Sequence, residues 1–107
     1  MREFADIEKR IELVSSLASC ERDDARVLAE IGDVLAVGYA SALQADARCR
    51  RLADQLERLL IDGEHSERAG ELARERRTVA DATRRLRDRL ALLRTLFAQI
   101  SARTGSA

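Results

Sequence analysis

Apolar residues at the start of the chain recur three and four positions apart, a spacing that places them on one face of an α-helix. The positions between them are largely charged. This pattern predicts an amphipathic helix over about residues 3–18. The stripe consists of Phe4, Ile7, Ile11 and Val14.

A break in the helical pattern is expected near residue 19, because the apolar stripe does not continue in phase beyond a group of serines. Ser19 is a suitable N-cap, and the acidic residues Glu21, Asp23 and Asp24 would favour the first turn of a new helix. The second helix is therefore predicted to begin at about residue 20.

The second helix carries a heptad seam in which apolar or small residues alternate three and four positions apart without interruption. This seam predicts one helix of about residues 20–61. Its members are Leu28, Ile31, Leu35, Gly38, Ala42, Ala45, Cys49, Leu52, Leu56 and Leu59.

Residues 62–66 interrupt the pattern and predict a turn, with Gly63 suited to a left-handed C-cap and Ser66 suited to capping the next helix. A third helix is predicted over about residues 67–102, followed by a frayed polar tail, 103–107. Its seam consists of Ala69, Leu72, Arg76, Val79, Thr83, Leu86, Leu90, Leu93, Phe97 and Ile100.

The two seams match in length, so the sequence predicts an all-α fold, a long antiparallel helical hairpin of coiled-coil type with a shorter N-terminal helix. One domain spans residues 1–107. Folding the hairpin about its turn brings small residues opposite large ones, as in close-packed helical layers. The expected pairs are Leu56 with Leu72, Cys49 with Val79, Ala42 with Leu86, Gly38 with Leu90 and Ile31 with Phe97.

The segment from Val34 to Leu43 is apolar around nearly the whole helical circumference, and such a helix is expected to be buried on all sides. A chain of three helices leaves one side of it uncovered. We therefore expect self-association as a homodimer or higher oligomer, which completes a helix bundle. The expected interface residues are Val34, Val37, Tyr39, Ala40 and Leu43.

Composition supports a long-helix protein, since Ala, Leu, Arg and Glu are abundant and Pro is absent. The formal net charge is +0, but residues 1–65 carry 9 Lys and Arg against 14 Asp and Glu, while residues 66–107 carry 10 against 5. The two parts are electrostatically complementary. Pairing within the hairpin is preferred to a basic arm that binds nucleic acid.

Nucleic-acid binding is nevertheless the alternative function, because the last helix is rich in arginine. These side chains spread around the helix, and no aromatic residues alternate with them to stack bases. Nucleic acid is therefore an unlikely partner. The arginines concerned are Arg74, Arg76, Arg77, Arg84, Arg85, Arg87, Arg89 and Arg94.

No set of residues predicts a catalytic, cofactor or metal site, so the protein is not expected to be an enzyme. His65, the single histidine, stands in the turn beside Asp62, Glu64 and Glu67 and is interpreted as a solvated turn residue, because a structural zinc site needs four ligands. The segment Arg26 to Gly32 resembles helical chorismate mutases, but its spacing is compressed and the lysine expected afterwards is missing.

The N-terminal residues are charged and lack the apolar core of a signal peptide, so a cytoplasmic location is expected. The longest uncharged stretch, Val34 to Ala45, holds 12 residues, fewer than the roughly 20 that span a bilayer. No membrane partner is expected. Cys20 and Cys49 would lie about 43 Å apart on a continuous helix, too far for a disulfide within one chain.

In shape and composition the chain resembles the short helical hairpins of secretion-apparatus chaperones and other assembly adaptors, which bury their apolar faces only with a partner. The resemblance implies a helical protein as the partner. The sequence thus predicts a protein-protein interaction module, a homo-oligomeric adaptor, chaperone or assembly subunit.

Overall fold

The computed structural model describes residues 2–63 and 66–105. Within these ranges the chain forms three helices and no strand: α1 (Arg2–Cys20), α2 (Asp24–Asp62) and α3 (Ser66–Gly105). α2 and α3 pair as an antiparallel hairpin, and the molecule measures 65 × 21 × 15 Å. The predicted all-α fold with a long hairpin and a shorter N-terminal helix is confirmed.

The junction between α1 and α2 lies at residues 21–23, slightly later than the sequence predicts. Asp23, not Ser19, is the N-cap of α2, and its carboxylate accepts a hydrogen bond from the backbone N–H of Arg26 at 3.3 Å. Ser19 remains in α1, where its hydroxyl donates to the carbonyl of Ser15. The Glu21 carboxylate accepts from two backbone N–H groups of the junction and stabilises the break.

The turn between α2 and α3 begins with Gly63, which adopts a left-handed conformation at φ 67 and ends α2 as its C-cap. Glycine is favoured here because a side chain would strain this backbone conformation. The predicted C-cap is confirmed. The side chains of Glu64, His65 and Ser66, including the predicted cap at Ser66, lie outside the described residues.

The hairpin packs in the predicted register at Gly38 and Leu90. The contact between these two residues is so close that a shift of register would remove it. A Cβ atom on Gly38 would lie 2.5 Å from a methyl carbon of Leu90, so the Leu90 side chain occupies the space above Gly38. Leu90 is fully buried. Farther towards the turn, the Cys49 thiol lies 3.9 Å from the carbonyl oxygen of Arg76, one helical turn from its predicted neighbour Val79.

Helix α1 folds back along the hairpin and buries its whole apolar stripe. Its direction follows from its neighbours on α3, because Phe4 lies beside Ala82 while Glu8 and Glu12 approach the guanidinium of Arg89. α1 therefore runs parallel to α3 and antiparallel to α2. With 19 residues against 39 in α2, it covers only the half of the hairpin remote from the turn.

The presence of α1 changes which α2 residues are most buried. Val27 and Val34 are each 1% exposed, whereas the predicted seam residues Leu28 and Leu35 are only half-buried. Leu28 and Leu35 still pack against the core, and the two valines are further core positions that the predicted seam omits, because α1 packs on the valine side of the helix. On α3, the predicted seam residue Arg76 is exposed.

The end of α3 is tied to the start of α2, so the prediction of a frayed tail is wrong for residues 103–105. The Arg103 guanidinium donates two hydrogen bonds to the Asp24 carboxylate, at 2.7 and 3.1 Å. Thr104 Oγ1 lies 3.2 Å from the same carboxylate. A carboxylate at a helix N-terminus and a guanidinium at a C-terminus also each complement the helix dipole.

We call the contact of Asp24 with Arg103 and Thr104 the clasp, and we expect its stability to depend on pH. The hydrogen bond from Arg103 is the main cause that lowers the pKa of Asp24, and the positive charge of Arg103 and the Thr104 hydroxyl contribute further. Because the folded pKa lies below the unfolded one, the stabilisation is complete above the unfolded pKa of about 3.9 and is lost as pH falls through the folded pKa. The last turn of α3 should therefore exchange its amide hydrogens faster in acid.

Carboxyl carbon NMR titration of Asp24 measures this directly. Arg103→Gln should return the Asp24 pKa towards its ordinary range, while Arg77→Gln, on an exposed part of α3, should leave it unchanged. An unaltered Asp24 titration in Arg103→Gln would contradict the clasp.

Candidate self-association surface

The structure separates the five residues that the sequence predicts as an interface. Val34 is 1% exposed and belongs to the core of the single chain, so its assignment to an interface is wrong. Val37 and Leu43 are 43% and 64% exposed, and Ala40 is also exposed. Tyr39 is half-buried against the core. Val34 is covered because α1 folds over it.

Val37, which the sequence predicts as an interface residue, lies instead in the groove between α1 and α2, beside Ile7 and Arg10, and so does not share a surface with Leu43. Each residue of an α-helix advances by about 100° around its axis, so Leu43 projects about 120° away from Val37. The same rotation places Leu43 about 140° from Gly38, which faces α3. Leu43 therefore lies on the side of α2 that is turned away from both other helices.

Around Leu43 the chain presents a continuous apolar strip, which we name the outer strip. All its members are exposed or half-buried, and they neighbour one another at helical spacings of three and four. It extends about 33 Å along α2 at the helical rise of about 1.5 Å per residue. The outer strip consists of Ala25, Leu28, Ala29, Gly32, Leu35, Ala36, Tyr39, Ala40, Leu43 and Ala47.

The half-buried members of the outer strip lie on the side of the hairpin opposite α1. Asp46, seven residues after Tyr39 on the same side, pairs with Arg87 of α3. The groove around this pair is lined by α2 and α3 residues such as Cys49 and Thr83, and α1 does not contribute to it. The outer strip thus lies on a side of α2 that no described helix covers.

Charged residues flank the N-terminal part of the outer strip and follow its C-terminal end. Asp33 and Arg26 project about 80° and 100° around α2 from Leu43, and both are exposed. Going towards the C-terminus, Arg50, Arg51 and Asp54 follow and are exposed as well. Within the described residues, only Arg26 of these five forms an ion pair, with Glu21 at 3.2 Å.

Gly32 shows that the outer strip has room for a closely packed neighbour. A Cβ atom built on Gly32 meets nothing within 4 Å, so no contact within the chain requires a glycine at this position. A glycine in the interior of a helix costs about 0.5 to 1 kcal/mol relative to alanine. The sequence pattern alone does not distinguish Gly32, which is open, from Gly38, which is packed against Leu90.

Metal-ligating side chains do not cluster in the part of the chain that the structure describes. Among residues 2–63 and 66–105, no group of three His, Cys, Asp or Glu side chains could hold a metal ion. His65 lies outside those ranges. Cys20 and Cys49 are both free, Cys20 exposed and Cys49 half-buried, so the prediction that they do not bond to each other is confirmed.

The arginines of α3 do not form one basic surface. Arg84, Arg87 and Arg89 pair with Asp81, Asp46 and two glutamates of α1, respectively. The others point in several directions around the helix, because residues two and three apart on an α-helix lie about 200° and 300° apart. Carboxylates of the same chain therefore already pair with Arg84, Arg87 and Arg89 and would compete with the phosphate groups of a nucleic acid for these three arginines.

By length and composition, α2 could cross a membrane, with a mean hydropathy of 1.2 over an 18-residue window of which 28% is buried. A core helix of a soluble protein can have the same length and hydropathy. The shortness of the uncharged stretch therefore does not by itself exclude a membrane-spanning α2.

Comparison with known proteins adds no family to this picture. No protein-family model matches the chain, and neither a curated protein nor a solved structure shows significant similarity to it.

Proposed function

We propose that this protein is a non-catalytic, homo-oligomeric helical interaction module of the cytoplasm. It acts as an adaptor, chaperone or assembly subunit by burying the outer strip against another helix. The observation that supports the proposal most strongly is the uncharged and uncovered strip itself, since soluble monomers rarely expose contiguous apolar patches larger than a few hundred Å².

The shape of the outer strip favours a helix as the occupant. It runs along one side of α2, and its alternation of small and large side chains forms ridges and grooves that a second helix can enter. A small ligand instead requires a concave pocket that encloses most of its surface. The four-helix bundle is the arrangement that a three-helix unit reaches when one helix is added on its open side.

The arginine-rich α3 gives the competing proposal, in which the protein binds nucleic acid. The ion pairs of Arg84, Arg87 and Arg89 favour a structural role for a large part of that charge. The outer strip has no role in that alternative. Binding of a fluorescent duplex or single strand that is lost at high salt would support it.

The decisive experiment places a charge on the outer strip. Leu43→Glu should convert an oligomer into a monomer at micromolar concentration, because burying an unpaired carboxylate at a helix interface costs far more than the leucine contact provides. Multi-angle light scattering measures the mass, and circular dichroism measures the helix content, which should be unchanged because Leu43 is 64% exposed in the single chain.

Val37→Glu is the matched control. Val37 is an exposed apolar residue of the same helix, but it lies beside α1 and projects away from the outer strip. The Val37→Glu variant should have the same oligomeric state as the wild-type protein. Tyr39→Glu is less suitable than the sequence suggests, because Tyr39 packs against the core and its replacement would also disturb folding. A monomeric wild-type protein would contradict the proposed oligomer.

A further inference from the structure

The charges that bound the outer strip are arranged with opposite signs at its two ends. From the N-terminal end inwards the order is Arg26, Asp33, which is positive, negative. From the C-terminal end inwards the order is Asp54, Arg51, Arg50, which is negative, positive, positive. Between the two groups the charged residues of α2 are Asp46 and Arg48, and each pairs with a residue of α3. The two ends of this surface are therefore complementary to each other.

We propose that the occupant of the outer strip is the outer strip of a second copy of this chain, packed antiparallel about a two-fold axis near residue 41. This inference rests on the proposed function, because it needs the outer strip to be an interface. It goes further by fixing the partner, its direction and its register. In this register Tyr39 faces Leu43 of the second copy.

Two oppositely charged pairs support the antiparallel direction. When Tyr39 faces Leu43 of the second copy, Asp33 lies within about one residue of its Arg50, at about 1.5 Å per residue. Each pair occurs twice in the dimer because of the two-fold symmetry.

The second pair joins Arg26 to Asp54 of the second copy, which lie within about two residues of facing each other. A parallel arrangement in register would place every one of these residues against its own copy and so bring like charges together. Like charges across a helix interface destabilise it. The order of charges thus selects the antiparallel arrangement.

The small residues of the outer strip fit the same register. Gly32 faces the region of Arg50 in the second copy, so the aliphatic part of the arginine can cross the helix where no side chain stands, while its guanidinium reaches Asp33. Asp33 and Arg50 have no ion pair within the described part of their own chain, and both are exposed. They are therefore free to pair between copies.

Charge exchange tests the direction of packing. Asp33→Arg and Arg50→Asp should each weaken the dimer at least tenfold at low ionic strength, because each places two like-charge contacts in the interface. The double variant Asp33→Arg with Arg50→Asp should restore the dissociation constant to within about threefold of the wild type. Sedimentation velocity over a concentration series measures all four proteins, and circular dichroism verifies that the variants are folded.

Cross-linking gives a second measurement that does not depend on charge. In a Cys20→Ser, Cys49→Ala background, Ala40→Cys lies close to the two-fold axis and should be joined to its own copy by a short bismaleimide. Ala29→Cys should not be joined, because in the antiparallel dimer it faces the region of Ala53. Efficient cross-linking at both positions would overturn the inference in favour of parallel packing.

The outcomes separate the inference from the proposed function. If Leu43→Glu dissociates the oligomer but the charge variants have no effect or the double variant fails to recover, the outer strip remains an interface and the antiparallel register is wrong. If the wild-type chain is a monomer, both are overturned. Restoration by the double variant together with cross-linking at residue 40 alone supports the arrangement.

Discussion

Replacing Leu86 by alanine should lower the free energy of unfolding by about 2 to 5 kcal/mol, the range for a buried leucine whose removal leaves a cavity. Leu86 is 0% exposed and lies in the middle of α3, where all three helices contribute to one hydrophobic core. The surrounding side chains are held by their own helices and relax little into the space. Urea denaturation followed by circular dichroism gives the measurement.

Arg77→Ala is the matched control for Leu86→Ala, because Arg77 is an exposed residue of the same helix. It should change the free energy of unfolding by less than about 0.5 kcal/mol. Both measurements belong in the Leu43→Glu background, since dissociation of an oligomer would otherwise add a concentration-dependent contribution to stability. Equal losses at Leu86 and Arg77 would mean that the helical phase of α3 is wrong.

Gly38→Val should destabilise the hairpin by about 1 to 3 kcal/mol, the usual cost of inserting side-chain carbons into a packed core. The added Cβ alone would lie 2.5 Å from a methyl carbon of Leu90. Leu90 is 0% exposed, so it has no empty space to move into without displacing its neighbours. Thermal denaturation of the two proteins at equal concentration measures the loss.

Two further variants show whether the loss at Gly38 arises from the contact with Leu90. Gly70→Ala should be stabilising by about 0.5 to 1 kcal/mol, because the nearest atom to its added Cβ is the guanidinium of Arg74 at 3.9 Å. Leu90→Ala removes the clash, so Gly38→Val and Leu90→Ala combined should cost less than the sum of the two single losses. Strict additivity would contradict the Gly38 and Leu90 contact.

Much of the fold follows from local sequence patterns. The heptad spacing of apolar residues fixes the length of α2 and α3, because a seven-residue repeat on a helix keeps one face turned to a neighbour. Gly63 marks the turn, since only glycine adopts a left-handed backbone without cost. The pairing of Gly38 with Leu90 follows from the position of that turn. These features depend on residues that are close in sequence or on the length of the chain between them.

The start of α2 depends on which of two candidate residues is its N-cap. Ser19 and Asp23 are both suitable N-caps by residue type. The structure selects Asp23, because Glu21 holds the backbone N–H groups of the junction and keeps α1 intact through Cys20. Sequence pattern supplied the approximate position of the break but could not rank the two caps.

Three features were decided by tertiary structure alone. The docking of α1 makes Val27 and Val34 more buried than Leu28 and Leu35, which seam spacing by itself cannot reveal. The clasp between Asp24 and Arg103 joins residues 79 positions apart in the sequence and holds the end of α3, which extends through Gly105.

The third feature is the face on which the apolar segment of α2 remains open. The sequence by itself determined that this segment has more apolar circumference than three helices can cover, because composition and helical spacing are local properties. Only the tertiary structure decided that Leu43 is exposed while Val34 is enclosed. The side that α1 occupies depends on contacts between residues far apart in the chain, and those contacts leave no periodic signal in the sequence.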